Sequence, residues 1–303
     1  LYPMSIVVKS HMALFMANLI YAFTFTFAKD VMPETIRPLG FIFLRVSSAM
    51  ILFQVIHALW IKEKVRPEDY SRLILCGLFG VAINMMFFFK GLSYTTPIHA
   101  AVTMTSAPII VFVLAVIFHG ERLLNYRFVG VLLGAIGAIV LAVYGRHLEM
   151  GNPNLLVGNL FIFINAFSYA IYLTIVKPLM HKYHFLTVMK WVFTTGFVVV
   201  FPFGFEEFLA VQWTDISTKI WSEIVFVVFG TSFLAYLFNI YALKSLRAST
   251  VGFYIYLQPV LATLVALALG SDKLDKVKVL AFIFIFIGTY LVSKKPIPPL
   301  NNE

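Results

Sequence analysis

Apolar residues along this chain gather into ten blocks separated by short polar stretches. The blocks run 10–28, 38–61, 72–91, 97–118, 127–145, 155–176, 185–204, 220–243, 249–270 and 277–293. Each is about 17–25 residues long, enough for a helix to cross roughly 30 Å of hydrocarbon. Barrel strands would be shorter, about ten residues, and would alternate apolar with polar positions. The pattern predicts an all-α integral membrane protein with ten transmembrane helices. The loops between the blocks are too short to hold a soluble domain. The longest is expected to be the acidic stretch Glu206–Glu223.

The blocks also repeat. Gly91-Leu92, Pro108 and Glu121-Arg122-Leu123 recur 151 positions later as Ala242-Leu243, Pro259 and Asp272-Lys273-Leu274. Phe79-Gly80 recurs one position short of that spacing, as Phe229-Gly230. Asn18, Tyr21-Ala22 and Lys29 in the first span resemble Asn165, Tyr169-Ala170 and Lys177 in the sixth. The joint falls near Arg146–Asn154, so residues 10–145 and 155–293 form two five-helix repeats, followed by a short tail at 294–303. Five is odd, so the second repeat enters the membrane from the opposite face. Inverted repeats of this kind build transporters, in which two related halves rock around a site between them.

Composition agrees with the solvent the pattern implies. Hydrophobic residues are 61% of 303 and charged residues 12%, against roughly 45–50% and about 25% in soluble domains. The net charge of +9 reads as loop charge that orients the helices, and no nucleic-acid partner is expected. The side of the membrane holding both ends of the chain carries 13 Lys and Arg and the other side 7. The positive-inside rule then places both termini in the cytoplasm of a multi-pass cell (inner) membrane protein, with the tail as a short disordered end. Cys76 stands alone inside the third span, so no disulfide forms within one chain. The first apolar run is full-length and lacks a small-residue cleavage site, so it reads as a span rather than a signal peptide.

On these motifs the chain resembles the drug/metabolite transporter superfamily, in particular its EamA-like ten-helix members. The resemblance covers about residues 10–293. It rests on Asn18 with Tyr21, Leu44-Arg45, Gly91-Leu92, Ala107-Pro108 with Gly120-Glu121-Arg122, and Gln258-Pro259. Gly270-Ser271-Asp272-Lys273 departs from the Gly-Glu-Arg pattern in the second half. The resemblance implies a central cavity that opens alternately to each side. The first four helices of each repeat would line it, with the fifth and tenth at the periphery.

Candidate site residues follow from polarity inside the spans. An ionised side chain costs roughly 2.5–3.5 kcal/mol at a helix centre. Arg45, Lys90 and Lys190 lie within spans, and no Asp or Glu does. Arg45 sits about 10 Å from the outer end of its helix, at 1.5 Å per residue. Arg45 and Lys190 read as groups that attract an anionic moiety or clamp gates, or as snorkelling residues that hold the fold. Asn18, Tyr21, Asn84, Thr103, Asn165, Tyr169, Trp191, Asn239, Tyr254 and Gln258 complete a polar-aromatic set expected to face the bundle interior and contact substrate. Thr103 and Tyr254 are repeat counterparts, four residues before Ala107 and Gln258. Pro108 and Pro259 each remove a backbone bond in mid-helix, as hinges or as static kinks. Gly130, Gly134 and Gly137 form a small-residue face that could pack a dimer partner or a neighbouring helix.

These features point to a non-enzymatic secondary or facilitative transporter, a monomer or weak homodimer surrounded by membrane lipids. It would export small-molecule metabolites, amino acids or related amphiphiles, by alternating access. With His57 the one histidine well inside a span, proton antiport, uniport and exchange all fit. No Walker A pattern is present, and no cofactor or metal is expected. A nucleotide-sugar or phosphorylated-metabolite translocator of the same fold is the alternative. An integral membrane lipid-modifying enzyme is remote, because His181 and His184 have no carboxylate close in sequence.

Overall fold

A computed structural model describes residues 4–32, 34–95, 97–120, 124–144, 154–268 and 275–293. Among them every regular element is helical. The motif residues 121–123 and 272–274, most of the connector between the halves and the tail 294–303 lie outside the described residues. Ten helical segments follow the ten blocks. In the first half they are α1 (Met4–Val31), α2 (Pro38–Trp60), α3 (Pro67–Tyr94), α4 (Pro97–Met104 continued by Ser106–His119) and α5 (Asn125–Val143). In the second they are α6 (Leu155–Val176), α7 (Phe185–Leu209), α8 (Thr218–Ser245), α9 (Ala248–Phe253 continued through Ala268) and α10 (Lys276–Ser293). The protein is an all-α membrane protein. Along α1, α2, α3, α6, α7 and α8 a stretch is long and apolar enough to cross a membrane on composition alone.

Three helix ends differ most from the sequence expectation. The predicted loop Glu206–Glu223 shrinks to residues 210–217, because α7 runs on to Leu209 and α8 starts at Thr218. The reason is a shared cap: Glu207 Oε2 accepts the backbone N–H of Leu39 at 2.9 Å and of Gly40 at 3.0 Å. A carboxylate there satisfies first-turn donors of α2 that have no intrahelical partner. Ser217 caps α8 by accepting from the N–H of Ile220. At the other end of the sequence, α1 begins six residues before the apolar block, at Met4.

Packing follows the pseudo-symmetry of the repeat. The pair α3/α6 is matched by α8/α1, α4/α6 by α9/α1, and α2/α7 and α5/α10 each join a helix to its own counterpart. The Gly130, Gly134 and Gly137 face is used within the chain. A Cβ on Gly130 would lie 3.0 Å from Gly288 O and one on Gly137 2.7 Å from Ala281 O, both on α10.

Four helices depart from α geometry, at matching places in the two halves. Wide π-type turns occupy Leu78–Ala82 in α3 and Phe226–Ala235 in α8. These segments contain the repeated Phe79-Gly80 and Phe229-Gly230. In α4 the helix breaks at Thr105, and in α9 it tightens to a 3₁₀ turn over Tyr254–Tyr256. Each break lies just before a proline. Pro108 and Pro259 cannot bond the carbonyls of Met104 and Ile255, and their rings crowd those same groups. The two breaks meet: Tyr256 Oη donates to Thr105 O at 3.1 Å.

Candidate functional site

A cavity of about 110 Å³ lies between the halves. α1 contributes Asn18, Tyr21, Thr24 and Ala28, and α2 contributes Arg45. α3 adds Asn84 together with Met85, Phe88, Phe89 and Leu92, and α4 adds Met104. From the second half come Asn165 and Tyr169 of α6, Thr231, Tyr236 and Asn239 of α8, and Val251, Ile255 and Gln258 of α9. Among the described residues α5 and α10 contribute nothing, as the resemblance implies. α7 contributes nothing either, a departure from it. The cause is a flat seam with α2, where Phe43 packs against Phe197, Phe201, Phe205 and Phe208 at 5.1–5.8 Å between ring centroids.

The structure brings eight of the twelve sequence-predicted residues to this cavity: Asn18, Tyr21, Arg45, Asn84, Asn165, Tyr169, Asn239 and Gln258. Most are tied across helices, as buried polar groups in hydrocarbon must be. Gln258 Nε2 donates to Asn18 Oδ1 at 3.1 Å, and Asn239 Nδ2 to Tyr21 Oη at 3.1 Å. Asn84 and Asn165 exchange bonds, each amide donating to the other's backbone carbonyl at 3.3 and 2.7 Å.

The other four lie elsewhere. Tyr254 turns toward the far end of α1, where its Oη is 2.7 Å from His11 Nδ1. Thr103 is on α4 just before the break, and its carbonyl accepts from Ser106 Oγ. Lys190 stands 3.5 Å from His57 Nδ1 and 5.7 Å from the Trp191 ring, which packs edge-on against Tyr70. Lys90 lies over the Tyr94 ring at the end of α3.

Sequence reasoning missed the partners supplied by the π turns. A π turn shifts the backbone ladder and leaves carbonyls for side chains. Phe79 O accepts from Ser168 Oγ at 2.6 Å and Gly80 O from Tyr236 Oη at 3.0 Å. In α8 the hydroxyl of Thr231 meets Thr24 at 2.5 Å, and Ser232 Oγ accepts from Arg45 Nε at 2.9 Å. The repeated Phe-Gly pair was the available signal, since these residues lie within two turns of it.

Arg45 holds the strongest charge in the site. It is 3% exposed, its guanidinium stands 4.7 Å from the Phe89 ring centroid, and Nη1 is buried with no hydrogen-bond partner. Asn165 Oδ1 is likewise buried and accepts nothing. Among the described residues no acidic side chain lines the cavity.

The bundle is closed at the end that carries the loops 61–66 and 177–184. Asp69 binds Lys182 at 2.9 Å and Tyr183 at 2.8 Å, Glu63 accepts the N–H of His184, and Ser10 meets Ser245 at 2.6 Å. Lys177 Nζ donates to the carbonyls of Leu243 and Leu246 at the end of α8. In the opposite direction the cavity lining reaches Ala28 and Leu92, each within a turn of its helix end.

A helical membrane bundle with a polar chamber shared between two matching halves is an architecture that transporters use. The EamA-like transporter family matches the chain twice, over residues 8–143 and 156–294, and the protein belongs to that family. An uncharacterized transporter of Archaeoglobus fulgidus is 26% identical, over 86% of this chain and 90% of its own length. The uncharacterized transporter YyaM of Bacillus subtilis is 23% identical, over 82% and 81%. A WAT1-related protein of Arabidopsis thaliana is 32% identical over a shorter stretch, 45% of this chain and 41% of its own. A crystal structure with 18% sequence identity superposes with a TM-score of 0.77, over 94% of this chain and 96% of that one, which shows the shared fold.

Proposed function

We propose that this protein exports small amphiphilic metabolites, amino acids or related compounds, by alternating access, with the central cavity as its transport site. The observation that carries the reading is a polar chamber walled by both halves, sealed at one end and reaching toward the other. The sealed end is the more basic one, so the positive-inside rule sets it in the cytoplasm of the cell membrane. The two π turns and two proline breaks all lie in helices that line the cavity, where a rocking motion requires the helices to bend. Both walls come from one chain, so a single copy suffices. Arg45 is the one basic residue of the described lining, which favours this class over a phosphorylated substrate, whose two negative charges call for several cations.

Proteoliposomes loaded with a panel of labelled amino acids test the reading. Efflux above that of protein-free vesicles, with or without a pH gradient, is the expected result. If no member of the panel moves in either condition, the substrate class is wrong.

A further inference from the structure

The charge balance of the cavity narrows the ligand beyond the general class, on the reading that this cavity is the transport site. Arg45 is the single ionised group of the described lining, and no carboxylate faces it. Its Nε is committed to Ser232 Oγ, which leaves the Nη edge for a two-oxygen acceptor. Nη1, buried and without a partner, is half of that edge. A buried cation without a counter-ion is costly, and the face of Phe89 offsets only part of that cost. A ligand of charge −1 brings the chamber to neutrality. A zwitterion leaves it at +1, and an amine raises it to +2.

We infer that the cavity is built for a monocarboxylate whose second polar group is uncharged. The carboxylate sits on the Nη edge of Arg45, and Asn165 Oδ1 accepts from an N–H or O–H of the ligand, or from a water that it holds. Asn165 Nδ2 is committed to Asn84 O, so its carbonyl oxygen is the atom left without a partner. An acceptor there repels a carboxylate and so gives the ligand a direction. Met85, Phe88, Leu92, Met104 and Ile255 offer an apolar wall for a short aliphatic or aromatic body. Oxo acids, hydroxy acids and N-acylated amino acids are of this class.

Three probes with one carbon body separate the charges: 4-methyl-2-oxopentanoate, leucine and 3-methylbutylamine. Binding is read as the shift in thermal unfolding of the purified protein and as Kd. The oxo acid is expected to bind best, leucine next and the amine not at all. Arg45→Gln should weaken the oxo acid by about 30-fold or more, as truncation of a buried charge partner does. Arg45→Lys should fall in between, since it keeps the charge and loses the fork. If Arg45→Gln does not fold, Asn165→Asp serves instead: it adds the missing negative charge and should turn the preference from the oxo acid to leucine.

The inference is overturned if the amine rivals the oxo acid, if leucine outbinds it, if none of the three binds, or if Arg45→Gln retains wild-type affinity. Flux of the same probes in proteoliposomes keeps the two readings apart. Leucine flux without oxo-acid binding overturns the inference and leaves transport standing. Arg45-dependent binding of the oxo acid without flux of any probe does the reverse.

Discussion

The seam between α2 and α7 and the cavity beside it are built at the same depth, from helices of the same bundle, by opposite rules. The seam is filled by ring and backbone contacts. Backbones approach at Gly40 and Gly204, phenylalanines interlock, and Gln54 pairs with Thr194 at 2.8 Å, while His57 Nε2 and Thr187 Oγ1 are buried without a partner. In the cavity a guanidinium nitrogen and an amide oxygen are buried and unpaired. Hydrocarbon penalises such groups. Two of them lining one chamber mark where something else can complete the structure. The seam holds the halves together; the chamber is what they hold.

The largest expected effect breaks the seam. A Cβ on Gly204 would lie 2.5 Å from Leu39 O and 2.7 Å from Phe43 Cβ, and the first of these is backbone that cannot step aside. Gly204→Val should destabilise by about 3 kcal/mol, the upper end of ordinary overpacking. The cavity should be forgiving by comparison. Met104→Leu, a swap of similar volume in its wall, should cost under about 1.5 kcal/mol. Unfolding midpoints in one detergent measure both, and equal tolerance of the two substitutions would erase the distinction.

A smaller effect is expected where the two proline breaks meet. Tyr256→Phe removes the hydroxyl that bonds Thr105 O across the two breaks, a loss of about 0.5–1.5 kcal/mol. The same measurement checks it. A neutral outcome would mean that the breaks are held by packing alone.

Much of this was legible in the sequence, because a bilayer imposes length and apolarity on anything that crosses it. The interior polar set was legible for the same reason: Asn18, Asn84, Asn165 and Gln258 have nowhere else to turn. Helix ends were less so, since Glu206 and Glu207 look like loop residues until Glu207 is seen capping α2. Thr103 and Tyr254 fell outside the cavity because the chain between each and its neighbour four residues on is not α-helical. A 3₁₀ turn advances each residue by about 120° rather than 100°, so Tyr254 and Gln258 no longer stack. They point to His11 and Asn18, two different levels of α1. The Phe-Gly repeat was visible but mute. Its π turn depends on a contact from another helix, where the Tyr172 ring fills the space a side chain on Gly80 would need.

The smallest effect concerns the sealed end, where one helix cap is a part-exposed histidine. His184 caps α7 by accepting from the N–H of Leu186 at 3.3 Å, which requires Nδ1 without a proton. Burial holds its pKa below the usual histidine value, with Glu63 opposing and Lys244 adding to the shift. A lowered pKa means that the unfolded chain binds the proton first. Stability from this group is therefore complete above the unfolded value, about 6.5, and is lost as pH falls through the folded one. The slope should stay well under the roughly 1.4 kcal/mol per pH unit set by one full proton, because solvent screens a part-exposed ring. His184→Asn keeps a capping side chain and removes the titration. Unfolding midpoints of wild type and variant should then converge at neutral pH and separate below about pH 6.5, with the wild type falling faster. Parallel curves would show that the cap survives protonation, and that the seal at this end rests on Asp69 with Lys182 and Tyr183 instead.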